Sequence, residues 1–186
     1  MKLLVIVDMQ NDFIDGTLGS EAARAIVPKV CEKLKNPDYI REHTVLFTAD
    51  THDSFYDNTL EGKKLPISHC QKYTYGWTIN KDVTDAYIET TKHNIELISK
   101  TTFGSFDLCD KISANYGYGK CKYDSIELLG LETDICVISN ALILRAAFPD
   151  TPIIVDASCC AGTTTERHKA ALEAMKSCQI DIINEE

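Results

Sequence analysis

Short apolar runs alternate with amphipathic stretches along most of the chain, and several runs stop at a residue able to do chemistry. LLVIV leads into Asp8, TVLFTA into Asp50, IELIS into Lys100 and IIV into Asp156, while SIELLG shortly precedes Cys136. Runs of this length, rich in β-branched residues and bounded by turn formers, read as strands. They predict strands over 2–7, 44–49, 94–99, 124–129, 152–155 and 179–184. Helical spacing predicts helices over 20–35, 107–115, 134–147 and 165–177. In the first of these, Ala22, Ala23, Ile26, Val27, Val30 and Leu34 share a face behind Ser20 as N-cap, and Pro37 follows the end. Strand and helix in alternation predict a Rossmann-like three-layer α/β/α sandwich with a six-stranded, mostly parallel sheet and right-handed crossovers. The carboxyl ends of parallel strands share one edge, and ligands bind in the crevice outside it. The runs therefore point to one site.

The stretch 51–91 breaks the pattern. It is rich in Gly, Tyr, His and charge, shows little periodicity, and is too long for an ordinary connection, so it is expected to be an irregular insertion. No linker or repeat interrupts the rest, and residues 1–186 are taken as one domain. The formal net charge is -9, spread along the chain with no basic stripe, which excludes nucleic acid as an expected partner. No apolar stretch approaches the ~20 residues of a membrane-spanning helix, and the N-terminal run is too short for a signal peptide. A cytoplasmic location is expected. The eight cysteines lie largely within apolar segments and form no CxxC pair, so they read as reduced thiols, most of them small buried hydrophobes.

Cys136 is the most nucleophilic candidate among them. It lies in Gly130-Leu131-Glu132-Thr133-Asp134-Ile135-Cys136-Val137, where a strand pattern breaks and a helical one begins. Unpaired N–H groups and the positive end of the macrodipole in a first helical turn favour thiolate and can hold an oxyanion. The plain alternative is a small cysteine packing a helix on the sheet. Asp8 ends an apolar strand, where a carboxylate loses solvation unless partnered, and Lys100 is a natural partner. Such an Asp can take a proton from a thiol and return it to a leaving amine. The alternatives are a structural ion pair, or a carboxylate capping the Gln10-Asn11-Asp12 turn.

Val7-Asp8-Met9-Gln10-Asn11-Asp12-Phe13, Ser99-Lys100-Thr101-Thr102-Phe103-Gly104-Ser105-Phe106 and the segment from Gly130 to Val137 together resemble the cysteine hydrolases of the isochorismatase-like superfamily. The resemblance extends to Asp156-Ala157-Ser158-Cys159-Cys160-Ala161-Gly162. It implies a catalytic triad of Asp8, Lys100 and Cys136, an oxyanion hole from the N–H groups of Glu132 and Cys136, and a cis peptide joining Leu131 to Glu132. Isochorismatases proper lack the nucleophilic cysteine, so Cys136 implies carboxamide hydrolysis through a thioester. Glu132 stands where a small residue is common.

Asp50-Thr51-His52 and His69 resemble the metal site of nicotinamidases and pyrazinamidases, since an Asp and a His two apart on an extended segment point the same way. The resemblance implies one divalent metal on Asp50, His52 and His69, with zinc first and manganese or iron also compatible with those ligands. Glu61 is a weaker match for a fourth ligand, against the plain reading of a solvated glutamate. Phe13, Trp77 and Phe103 are the candidates for aromatic walls around a small carboxamide, nicotinamide first. Leu65-Pro66-Ile67-Ser68 stands where a tryptophan is common, and Tyr73 and Tyr75 replace a glycine and an acidic residue. Two other readings stay open: a metal-free carbamoyl or ureido amidohydrolase with the same triad, and a non-catalytic binding or thiol redox protein. A homo-oligomer is also implied.

Overall fold

The computed structural model describes residues 1–114, 116–117 and 119–185. The sheet is built from β1 (Lys2–Val7), β2 (His43–Asp50), β3 (Leu97–Lys100), β4 (Ile126–Leu131), β5 (Ile153–Ala161) and β6 (Asp181–Ile183). Their spatial order is β3-β2-β1-β4-β5-β6, and every neighbouring pair is parallel, so the sheet is wholly rather than mostly parallel. Helices cover both faces, which is why Leu3 to Val7 of β1 can all be apolar and fully buried. The chain winds outward from β1 to β3, then returns to the other side of β1 and continues outward through β4. That reversal, between β1 and β4, opens the crevice where ligands bind in such sheets. Asp8 follows β1 and the turn carrying Cys136 follows β4.

α2 (Glu21–Lys35) and α5 (Lys81–Thr91) pack on each other, while α6 (Phe106–Ser113), α7 (Ile138–Ala147) and α8 (Thr165–Ser177) form a second group. Ser20 caps α2 as expected, its Oγ accepting the Ala23 N–H at 3.0 Å. Ala22 faces solvent, however, and Cys31 completes the buried stripe in its stead. Pro37 opens a short helix, α3 (Pro37–Arg41), capped by Asn36. The C-terminal end expected for α6 at Asn115 lies outside the described residues. The helix expected from 134 begins instead as a π-turn, Thr133–Val137, that runs into α7.

The insertion is less irregular than its sequence predicts. A short N-terminal helix, α1 (Asn11–Ile14), packs near its base, and within it lie a 3-10 turn (Tyr56–Asn58), α4 (Leu60–Lys64) and the eleven residues of α5. The buried stripe of α5 is Val83, Ala86 and Tyr87, and only Val83 stands out as strongly apolar in sequence. Asp156 also departs from expectation. β5 continues to Ala161, so Asp156 lies within the strand rather than at its carboxyl end. There it is buried beneath α2, where Lys33 forms ion pairs with both Asp156 and Glu127. Asp156 and Ser158 interrupt the apolar run, which makes the strand look shorter than it is.

Gly130 fixes the approach of β4 to β1. Its φ is +124°, and a Cβ there would lie 2.1 Å from the carbonyl oxygen of Val7, the residue it pairs with and the one before Asp8. Gly130→Ala is therefore expected to destabilise the fold by at least about 3 kcal/mol, measured by urea unfolding. A loss below about 1 kcal/mol would show that the two strands can separate at low cost.

Candidate active site

Four strand ends supply the site. Asp8 has a left-handed backbone, φ +47°, a conformation that Asp tolerates better than most residues. Its side chain is fully buried. Oδ1 accepts a hydrogen bond from the Thr48 hydroxyl of β2 at 2.6 Å, so the carboxylate does not cap the following turn. Oδ2 lies 2.6 Å from Nζ of Lys100, the last residue of β3. The same Nζ is 3.5 Å from Cys136 Sγ and 3.8 Å from Asp50 Oδ1. Lys100 thus touches the nucleophile candidate, the base candidate and the first of the metal-ligand candidates. The ion pair read from sequence as a bland alternative is present, but the thiol sits on it.

Burial pushes the Asp8 carboxyl above its ordinary value, against the pull of the Lys100 ammonium. Burial works against the Lys100 ammonium too, yet the Asp8 carboxylate, Cys136 and Asp50 outweigh it and hold Lys100 above its ordinary value. Cys136 corrects the expectation from the macrodipole. The side chain is buried, and burial, followed by the Asp8 carboxylate, pushes the thiol well above its ordinary value, with Lys100 opposing. Burial thus favours the protonated form of this candidate nucleophile, with the Asp8 carboxylate beside it. The turn before it contains the expected cis peptide between Leu131 and Glu132, and the Glu132 carbonyl accepts the N–H groups of Ile135 and Val137. Glu132 itself is buried, its Oε2 lacks a partner, and burial and then Asp134 push its carboxyl up to about 8.

The second half of the site lies at the end of β2 and in the insertion. Asp50 Oδ2 is 2.9 Å from His52 Nε2 and 3.4 Å from His69 Nε2. Glu61, from the first turn of α4, brings Oε1 to 3.7 Å from the first nitrogen and 3.8 Å from the second. One donor atom from each of Asp50, His52, Glu61 and His69 lies within 4.8 Å of every other. Burial opposes ionisation of Asp50, but the adjoining His52 and His69 and the charge of Lys100 hold it well below the usual carboxylate range. The donor set fits a divalent metal on the structure's own terms. His69 Nδ1 sits 2.8 Å from the Ile67 carbonyl, which assigns its proton to Nδ1 and leaves the Nε2 lone pair facing the cluster. His52 Nε2 is buried and without a hydrogen bond of good geometry. Glu61, read as solvated from sequence, is drawn into the cluster because the 3-10 turn and α4 fold its helix over the histidines.

The residues that brace this cluster were not legible as functional. Gln10 is fully buried and spends its whole amide on it: Oε1 accepts the Asp50 N–H at 2.7 Å, and Nε2 donates to the carbonyls of Asp50 at 2.8 Å and Trp77 at 2.7 Å. Asp12 accepts the N–H of Cys70, next to His69, at 2.7 Å. In sequence both stand within the motif that follows the first strand, but nothing there gives either of them a role at the cluster. Gln10→Ala is expected to weaken zinc binding by about 10–100-fold in titration of the metal-free protein, because Asp50 loses both backbone restraints. Unchanged affinity would mean that β2 alone holds Asp50 in place.

The three aromatic candidates fare differently. Phe13 is buried with its ring centroid 5.8 Å from that of His69, so it backs the metal-ligand cluster. Trp77 donates its indole N–H to Thr51 Oγ1 at 2.8 Å, which seats it against the residue between Asp50 and His52. Phe103, in the loop after Lys100, is 46% exposed.

The family model for the isochorismatase domain matches residues 2–186. Among curated proteins, the nicotinamidase/pyrazinamidase of Mycobacterium tuberculosis is 27% identical over 194 residues, covering 98% of both chains. The crystal structure of a pyrazinamidase/nicotinamidase from Streptococcus mutans superposes with a TM-score of 0.80 at 26% identity, covering 98% of this chain and 100% of the other. A pyrazinamidase from Pyrococcus horikoshii, solved in complex with zinc, has the same fold, with a TM-score of 0.77 at 23% identity over 98% of each chain. A wholly parallel sheet with an acid, a lysine and a cysteine gathered at its reversal point, matched end to end by that model, makes this chain a member of the isochorismatase family.

Proposed function

We propose that the protein is a metal-dependent cysteine amidohydrolase that converts nicotinamide to nicotinic acid and ammonia. The observation that carries the reading is the contact of Lys100 Nζ with Asp8, Cys136 and Asp50 together, which joins a thiol–base pair to the metal-ligand cluster. The nicotinamidases and pyrazinamidases among the relatives support the substrate class. The four clustered ligands count against the metal-free carbamoyl or ureido alternative, and the thiol–base pair against a purely binding role.

Asp50, His52, His69 and Glu61 would hold the metal, with zinc favoured by the N/O donor set and by the zinc-bound relative. When bound, it supplies a Lewis-acid anchor that fixes a small heteroaromatic amide beside the thiol. The remaining chemistry belongs to the chain. Asp8, its carboxylate paired with Lys100, takes the Cys136 proton as sulfur attacks the carboxamide carbon. The N–H groups of Glu132 and Cys136 stabilise the oxyanion. Asp8 returns the proton to the departing ammonia, then deprotonates the water that opens the thioester and passes that proton to the leaving Cys136 sulfur, while Lys100 orients the carboxylate throughout. Phe13, Trp77 and Phe103 wall the ring.

No helix among the described residues is long and apolar enough to cross a membrane, and all eight cysteines are free, which suits a reducing cytoplasm. Assembly as a homo-oligomer belongs to the same reading. The test is partition by a second nucleophile. With hydroxylamine added during turnover, a thioester predicts nicotinohydroxamic acid formed at the expense of nicotinic acid, with ammonia release at least as fast. Ammonia and nicotinic acid in equal amounts, with no hydroxamate at any hydroxylamine concentration, would remove the covalent intermediate.

A further inference from the structure

Asn140 is fully buried in α7, four residues after Cys136, and every one of its amide bonds crosses between the nucleophile and the loop that follows Lys100. Nδ2 donates to the Cys136 carbonyl at 2.8 Å and to the Phe103 carbonyl at 3.2 Å, and Oδ1 accepts the Ser105 N–H at 3.0 Å. Two carbonyls and one N–H leave a single possible orientation for the amide. The loop is seated on the same helix by a second contact. Gly104 lies so close that a Cβ there would fall 2.4 Å from Ile143 Cδ1 and 3.1 Å from the Ser139 carbonyl. Ser105 in turn caps α6, its Oγ accepting the Leu108 N–H at 3.1 Å.

We infer that Asn140 is a positioning residue that sets the register between Cys136 and the segment from Lys100 to Ser105, and so holds the thiol at working distance from the Lys100–Asp8 pair. Cys136 and Lys100 come from opposite sides of the sheet reversal, since β4 and β3 are separated by β1 and β2. Lys100 ends β3 within the strand ladder, but Cys136 lies beyond the end of β4, so the strands alone do not fix their spacing. The Asn140 amide is the polar link that does so, and it also pins the backbone of Phe103 at the pocket wall. A misplacement of about 1 Å at a reacting group is able to cost on the order of 10²-fold in rate. The inference rests on Cys136 being the nucleophile of the proposed reaction.

The experiment compares Asn140→Ala and Asn140→Asp with wild type by ammonia release, thermal melting, and the rate of Cys136 alkylation by iodoacetamide, followed by peptide mass. For folded Asn140→Ala the expectation is a fall in kcat of at least about tenfold with KM within about threefold, and slower alkylation of Cys136. Asn140→Asp turns a carboxylate toward two carbonyl oxygens; only its protonated form has an O–H to donate. Its kcat relative to wild type should therefore rise as pH falls, a dependence that loss of packing alone does not produce. Folded variants with wild-type kcat and alkylation rate would overturn the inference, as would losses that only track the unfolded fraction, or failure of both variants to fold. Alkylation needs no amide substrate. If wild type leaves nicotinamide intact while Asn140→Ala slows alkylation, the positioning role stands and the substrate assignment fails.

Discussion

Asp8→Asn is expected to bind its metal normally and lose turnover by about 10²–10⁴-fold, the usual contribution of a positioned general base. Asparagine keeps the shape of the side chain, tolerates the left-handed backbone at φ +47°, and can still accept the Thr48 hydroxyl. What it cannot do is take a proton. Burial holds the Cys136 thiol above its ordinary value, so without the Asp8 carboxylate no group in contact with it generates the thiolate during attack. Lys100 keeps Asp50 as a counter-charge, which protects the fold. Steady-state ammonia release, metal content and melting temperature measured on one preparation separate these effects. Near-wild-type turnover by the Asp8→Asn variant would take Asp8 out of the mechanism.

Lys100→Met should act on stability as well as activity, with unfolding free energy falling by about 3–5 kcal/mol. Methionine fills much of the volume but leaves Asp8, which is fully buried, and Asp50, which is nearly so, without the ammonium that offsets both. An uncompensated buried charge costs far more than the net worth of the pair it came from. The second substitution makes the reason visible: Asp8→Asn added to Lys100→Met removes one of the two stranded charges and should restore part of the loss. Urea unfolding of the metal-free proteins at one pH measures all three. A Lys100→Met protein within about 1 kcal/mol of wild type, or a double variant weaker than the sum of the singles, would show that the pair is not held together by charge.

The architecture and the residues gathered at the sheet edge were readable because both rest on local patterns. Apolar runs of strand length gave the sheet, and the residue ending each run gave Asp8, Asp50 and Lys100, since strand ends in a parallel sheet share an edge. The same rule failed at Asp156. A charged residue inside a buried strand looks like a strand end until the partner that neutralises it is known, and that partner, Lys33, is 123 residues away. Helix α5 was missed for a related reason: Ala86 and Tyr87 carry its buried face without forming an obvious apolar period. The state of the Cys136 thiol was misjudged because the macrodipole is a local property, whereas burial is set by the whole fold. Gln10 and Asn140 illustrate the same divide, their amides being spent on backbone groups up to 67 residues distant that no local pattern names.

The most direct test of the mechanism is ammonia released from nicotinamide by the purified, metal-loaded protein, run beside a chelated sample and Cys136→Ala with its metal content verified. The thiol mechanism predicts turnover in the first, its loss on chelation with recovery when zinc is returned, and none from Cys136→Ala despite a full complement of metal. Substantial ammonia release by Cys136→Ala would contradict it by moving the chemistry off the thiol, and an inert loaded protein would contradict nicotinamide as the substrate.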